Sequence, residues 1–322
     1  MKISTKSNGY IPKVSIGMPV YNGEKYIREA LDSLLAQAYT DFELIISDNA
    51  STDATSRICR EYVEKDSRVK YFRQPTNIGI LFNFYFVLDQ ARSEYFMWAS
   101  HDDKWDKYWV SKLVNKLQHE DLNVVFGSLI HIGEDSKVIN CQDDNRTFEF
   151  IGNKTIRRIS YFLQPENLGK ANPIYGLFKR TLLNASNLDI LSIVDENAPG
   201  VDVLFIYNIL GQTELSSVSD TYFYKRIHGS CAGIKVFNKM SLMRKVIQYI
   251  IMPIFITKND FYYCNLSTSL EKFIILISLP LKILWRYWLM ISWFIKKLVY
   301  LSIDKINTKS SAIAKSPQIN GS

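Results

Sequence analysis

The chain has 322 residues, 47% of them hydrophobic, enough for one large domain or one domain with an appendage. Its formal charge of +7 suits an anionic membrane or a phosphorylated substrate. It suits nucleic acid less well, because the strongest motifs are acidic and no recognised nucleic-acid-binding signature is present. The cysteines Cys59, Cys141, Cys231 and Cys264 lie far apart, without a Cys-x-x-Cys pair. Neither a zinc site nor a disulfide framework is expected, and reduced thiols in a cytoplasmic protein are the simplest reading. The first ten residues contain lysine but no apolar run, so a secretory signal is not expected.

Residues 1–12 are polar and read as a flexible lead. Val14 to Val20 reads as a strand entering a loop at Tyr21-Asn22-Gly23. Tyr26, Ile27, Ala30, Leu31, Leu34 and Leu35 then fall at the helix period. Phe42 to Ser47 reads as a second strand, and Asp48 to Asp53 as a turn cluster able to cap a helix holding Ile58, Cys59, Tyr62 and Val63. Val69 to Arg73 reads as a third strand, followed by a loop with Pro75, Asn77 and Gly79. Residues 81–92 read as helix, and 94–99 as the next strand. This alternation predicts an α/β fold, a parallel sheet with helices on both faces. Ligands of such sheets bind beyond the carboxyl ends of the strands, where Tyr21, Asp48, Asn77 and Asp102 would gather.

The apolar run Phe96-Met97-Trp98-Ala99 ends in Ser100-His101-Asp102-Asp103. Adjacent carboxylates repel unless something positive is shared between them. Hard oxygen ligands suit Mg²⁺ or Mn²⁺, most of all when substrate phosphates add further ligands. The plain structural alternative is a solvated acidic loop. Further along, Trp105 to Leu117 reads as helix, Val124 to Ser128 as strand, 133–147 as loop, Val201 to Leu210 as an apolar helix with Asp202 in its first turn, and 221–227 as strand.

From about residue 235 the composition changes. Val246 to Ile256 is apolar, and Phe273 to Tyr300 is apolar and aromatic but carries Lys282, Arg286, Lys296 and Lys297. Internal cations and Pro280 argue against a spanning helix. Cations among Trp and Tyr fit a helix lying on a membrane surface. A core helix is the alternative. The tail after Asp304 reads as disordered.

These motifs, in this order, resemble glycosyltransferase family 2, inverting enzymes of GT-A fold. The resemblance is carried by Val14 to Asn22, by Leu34-Leu35-Ala36-Gln37 with Asp41 to Ile46, by Ser47 to Asp53, by Asn77-Ile78-Gly79 and by Asp102-Asp103. It covers roughly residues 13–230. It implies a mixed, mostly parallel GT-A sheet over 13–232, while the composition places C-terminal helices over 233–303 and a disordered tail over 304–322. It implies nucleotide-sugar contacts from Pro19, Tyr21, Asn22, Glu24, Asp48, Asn49, Ser51, Asn77, Gly79, Asp102 and Arg226. Mg²⁺ or Mn²⁺ would be held by Asp103, Asp102 and His228, with His101 as a spacer. Asp202 would be the catalytic base, with Asp195 and Glu196 as rivals. Asn49 stands where the family more often has a second aspartate, which leaves open whether Asp48 or Asn49 reads the base.

The implied activity moves a sugar from a nucleoside-diphosphate donor, with inversion, onto a cell-surface glycan or lipid-linked acceptor at the cytoplasmic face of the membrane. A metal-dependent sugar nucleotidyltransferase is the alternative enzyme. It is disfavoured because Tyr21-Asn22-Gly23-Glu24 replaces the Gly-rich basic loop after the first strand. A non-catalytic nucleotide-binding relative is the third reading. The sugar, the base and the linkage have no legible motif.

Overall fold

The computed structural model describes residues 10–141, 144–165, 168–183, 201–228, 260, 262–285, 287–288 and 291–292. The chain divides into two units, Met1–Asn238 and Lys239–Ser322.

Among the described residues, the first unit is built on an eight-stranded sheet. Its strands are β1 Val14–Val20, β2 Phe42–Asp48, β3 Val69–Arg73, β4 Tyr95–Trp98, β5 Lys104–Trp105, β6 Val124–Ile132, β7 Leu177–Lys179 and β8 Ser216–Arg226. Their order across the sheet is β3-β2-β1-β4-β7-β6-β8-β5. β3, β2, β1 and β4 run parallel, β7 is antiparallel to both its neighbours, β6 and β8 are parallel, and β5 is antiparallel to β8. The helices are α1 Ile27–Leu35, α2 Thr55–Lys65, α3 Ile80–Gln90, α4 Trp109–His119, α5 Lys154–Leu163 and α6 Val201–Ile209.

Alternation along β1 and β2 explains the layering. Val14, Ile16, Met18, Leu44 and Ile46 join one core with Leu31, Leu34, Ile58, Val110 and Leu113 from α1, α2 and α4. Gly17 points to the other face, where a β-carbon would lie 2.7 Å from the Phe96 ring and 2.8 Å from Val87 of α3. Only glycine lets α3 pack that close. Helices therefore cover both faces, as the alternation predicted.

Two boundaries differ from expectation. Trp105, expected to begin a helix, lies in β5, because Lys104 and Trp105 pair with Tyr224 and Phe223. A two-residue strand has no period to read. β8 begins at Ser216 rather than near residue 221, since its polar opening is held in register against β6, with a bulge between Gly127 and Ser128.

The second unit is helical at 262–265 and 269–285. Ile275 is buried, and Lys282 Nζ lies 3.1 Å from Asp260 Oδ1 and 5.5 Å from the Tyr263 ring centroid. Lys282 was expected to reach lipid headgroups. It is instead a buried ion-pair partner, satisfied by an acid far back in the sequence. Arg286, Lys296, Lys297, the stretch 246–256 and the tail after 304 lie outside the described residues, as do residues 1–9. No helix among the described residues is long and apolar enough to cross a membrane.

Candidate active site

Loops at the carboxyl ends of β1, β2 and β3 form one half of the rim, laced by side chain to backbone hydrogen bonds. Asp48, fully buried, accepts from the Ser51 amide (2.7 Å), the Tyr71 hydroxyl (2.7 Å) and Arg73 Nη1 (2.7 Å). The Asn22 amide donates to Ser51 Oγ (2.9 Å), and Asn22 Oδ1 accepts from the Thr52 amide (2.8 Å). Glu24 and Asp53 cap each other's loop. The Glu24 amide donates to Asp53 Oδ2 (3.1 Å), and Glu24 Oε2 accepts from the Ala54 amide (2.8 Å) at the start of α2. Capping in this loop is thus real, and Asp53 and Glu24 supply it. Asn49 is buried, with Nδ2 on Asn77 Oδ1 (3.0 Å) and the Gly79 carbonyl (3.1 Å), and Oδ1 on the Ile78 amide (2.8 Å). Gly79 takes φ 86°, which allows its carbonyl to turn back to Asn49.

The floor of this half is therefore Pro19, Asp48, Asn49 and Ser51, all buried, and its lip is Tyr21, Asn22, Glu24 and Asn77, all exposed. Tyr21 is 45% exposed, a ring free to lie against a flat partner.

The other half holds the acid pair. Asp103 is buried, and Oδ1 accepts the Arg226 amide at 2.7 Å. Burial, then the neighbouring Asp102 charge, push its carboxyl up to about 8. Asp102 is partly exposed. Burial would raise it too, but His101, Ser100 and His228 outweigh that and hold it below the usual carboxylate range. Ser100 Oγ donates to Asp102 Oδ1, and His228 Nε2 lies 2.9 Å from Asp102 Oδ2. His101 is more than a spacer. It packs where a Gly23 side chain would stand, its Cδ2 only 2.5 Å from a β-carbon built there, and so ties the acid loop to the β1 loop.

Arg226 was expected at the phosphates. The structure places its side chain fully buried, with Nε on the Asp102 carbonyl (2.8 Å), Nη1 on the Gly133 carbonyl (3.1 Å) and Ser136 Oγ (2.9 Å), and Nη2 on Glu29 Oε2 (2.9 Å). Its guanidinium lies 4.5 Å from the Tyr26 ring centroid. These donors are held within the protein, so Arg226 braces the acid loop instead of facing a ligand. Glu29, Tyr26 and Ser136 were missed in the sequence, which offers only a helix face and a hairpin as signals.

Asp202 opens α6 and is partly exposed, its Oδ1 accepting the Val203 amide (2.9 Å). α6 is anchored by Phe205 against Trp98 (5.8 Å) and Phe178 (6.1 Å), and by the Tyr161 hydroxyl on the Val203 carbonyl (3.1 Å). Burial raises Asp202 above the ordinary range, while the Val203 amide and the Lys225 charge pull it down. Lys225 also pulls on Asp103. The charge of one ammonium thus acts on both acids. Asp195 and Glu196 lie outside the described residues.

A divalent cation suits Asp103. Among the described residues this buried carboxylate accepts only the Arg226 amide, and it lies beside a second carboxylate, so an added positive charge would relieve both. His228 Nε2 lies 2.9 Å from Asp102 Oδ2, but Asp103 brings no ligand atom within 4.8 Å of both, so the three do not close as a trio. Among the described residues only His131, Cys141 and Asp144 do so. There Asp144 already accepts the His131 amide (2.9 Å) and the Cys141 amide (2.7 Å), and it lies 2.7 Å from His131 Nδ1, so it staples a loop.

Residues 15–170 match the glycosyl transferase family 2 model. An uncharacterized glycosyltransferase of Rickettsia typhi is 39% identical over 129 residues, 38% of this chain and 38% of that protein. Glycosyltransferase GlyA of Streptococcus pneumoniae serotype 4 is 30% identical over 122 residues, 38% of this chain and 17% of that protein. The matched stretch spans well under half of either relative. The crystal structure of S. aureus TarS 1–349 in complex with UDP-GlcNAc aligns with TM-score 0.55 at 22% identity, over 82% of this chain and 69% of that one, and so shares the fold. The strand order, the rim of acids and the matched sequence agree: residues 15–170 match glycosyl transferase family 2, on a sheet of GT-A fold.

Proposed function

We propose that the chain is an inverting, metal-assisted glycosyltransferase that moves a sugar from a nucleoside-diphosphate donor to a hydroxyl of a cell-surface glycan or lipid-linked acceptor. The observation that carries this reading is the acid pair after β4, Asp102 beside the buried Asp103, whose Oδ1 accepts the Arg226 amide. Asp102 is held low, Asp103 is pushed up to about 8, and Asp202 is raised, with the Lys225 charge acting on the last two. Paired carboxyls with separated affinities for protons divide labour between charge binding and proton transfer.

In this reading Tyr21 covers the base and the Asn49–Asn77 latch holds the loop against the ribose. Asp103, with Asp102, would hold Mg²⁺ or Mn²⁺, which neutralises charge on the leaving diphosphate. Asp202 takes the proton of the acceptor hydroxyl as that oxygen attacks the anomeric carbon. A single displacement with one base needs no covalent sugar intermediate and inverts the centre. Partial burial raises the basicity of Asp202, and the helix N-terminus opposes it by favouring the anion.

TarS was crystallised with UDP-GlcNAc, which makes uridine diphosphate sugars the first donors to test. Calorimetric titration of UDP with Mn²⁺ should give a Kd below about 1 mM. Asp202→Asn should keep that affinity while turnover falls at least about a hundredfold. Unchanged turnover in that variant would remove Asp202 from its role. Release of pyrophosphate from a sugar phosphate and a nucleoside triphosphate would favour a nucleotidyltransferase instead.

A further inference from the structure

The second unit displays an apolar stripe along one helix. Phe273, Ile277, Leu281, Leu284, Trp285 and Trp288 are each 51–69% exposed and fall at the helix period. The opposite side is occupied, with Ile275 buried, Glu271 Oε2 accepting the Thr268 amide (2.8 Å), and Lys282 paired with Asp260. A continuous exposed stripe of this kind marks an interaction surface. Beside Pro280 it holds an apolar hollow of about 450 Å³, lined also by Leu276, Leu279, Ile283 and Leu284.

Charge identifies the partner. Residues 239–322 carry twelve lysines and arginines against three acids, a net of +9, while residues 1–238 carry 27 against 29, a net of −2. The whole positive balance of the chain therefore belongs to the unit that bears the stripe. A second copy would bring like charge to like charge, whereas anionic lipid would bring the opposite charge and an apolar interior together. We propose that this helix lies in the plane of an anionic bilayer, with the stripe and its two tryptophans among the acyl chains and the net positive charge of residues 239–322 drawing it to the headgroups. An in-plane helix needs only one apolar face, consistent with the absence of a spanning helix among the described residues. The inference is independent of the transferase reading.

The test uses the full chain with vesicles of phosphatidylcholine alone or mixed with phosphatidylglycerol. Co-flotation with the anionic vesicles should exceed that with the neutral ones by about tenfold and weaken with added salt. Brominated acyl chains should quench tryptophan emission, and the quenching should fall in Trp285→Phe/Trp288→Phe, a change that leaves the fold undisturbed. Ile277→Glu/Leu281→Glu should lower vesicle affinity by at least about tenfold. Absence of flotation with anionic vesicles, or quenching unchanged by the tryptophan substitutions, would overturn the proposal. So would a concentration-dependent dimer, seen in sedimentation, that is abolished by the glutamate substitutions without any vesicle binding.

Discussion

Asp48 ends, and Asp103 follows, one of the two parallel strands that flank β1, yet the two sides of the rim treat their carboxylates in opposite ways. Asp48 is surrounded by donors from Ser51, Tyr71 and Arg73, so its charge is matched inside the protein. Asp103 receives one amide, lies beside a second acid, and is pushed up to about 8. An acid matched on every side is structure, whereas an acid with one partner and a like charge beside it can take a further partner from outside. The fold uses the first to build the floor on which the second is displayed.

The sharpest way to break this contrast is Asp103→Asn. The amide oxygen can still accept from Arg226, so the fold should persist while turnover drops by about a thousandfold, as measured by donor consumption. Asp48→Ala should do the reverse. It leaves the Ser51 amide, the Tyr71 hydroxyl and Arg73 without their acceptor and should cost about 3 kcal/mol in urea unfolding. Arg226→Lys should cost about 2 kcal/mol, because one ammonium cannot reach Asp102, Gly133, Ser136 and Glu29 together. Glu24→Ala should be mildest, about 0.5–1 kcal/mol, for the loss of one cap on α2.

Proton linkage sharpens the same contrast. The folded Asp103 holds its proton more tightly than the unfolded one, whose carboxyl titrates near 3.8. Between about pH 4 and 8 the folded state therefore binds more protons, and metal-free protein should lose stability as pH rises through that window. Melting curves in chelator should show Tm falling across it, and the fall should flatten in Asp103→Asn. Mn²⁺ should raise Tm most near pH 8, because a ligand of the native state stabilises it.

What the sequence revealed followed the range of the interactions. β1 to β4 and their helices are written in local apolar periods, and the rim residues follow from the strand ends. The bracing of Arg226 is not local, since Asp103 lies 123 residues away and Glu29 197. The burial of Lys282 depends on Asp260, 22 residues back. His101 packs onto Gly23, and a glycine in a loop does not announce what fills its empty side. Residues that touch distant segments look, in one dimension, like exposed polar residues.

The Arg226 amide bond has a consequence for biogenesis. A ribosome that has released the first 200 residues has delivered both metal-seeking acids and the donor loops but not the strand that steadies them. Closing a loop of that length comes late, after local helices and hairpins have formed. Nascent chains stalled before residue 226 should hold an acid loop that has not yet set, and competence for chemistry should arrive abruptly once β8 docks.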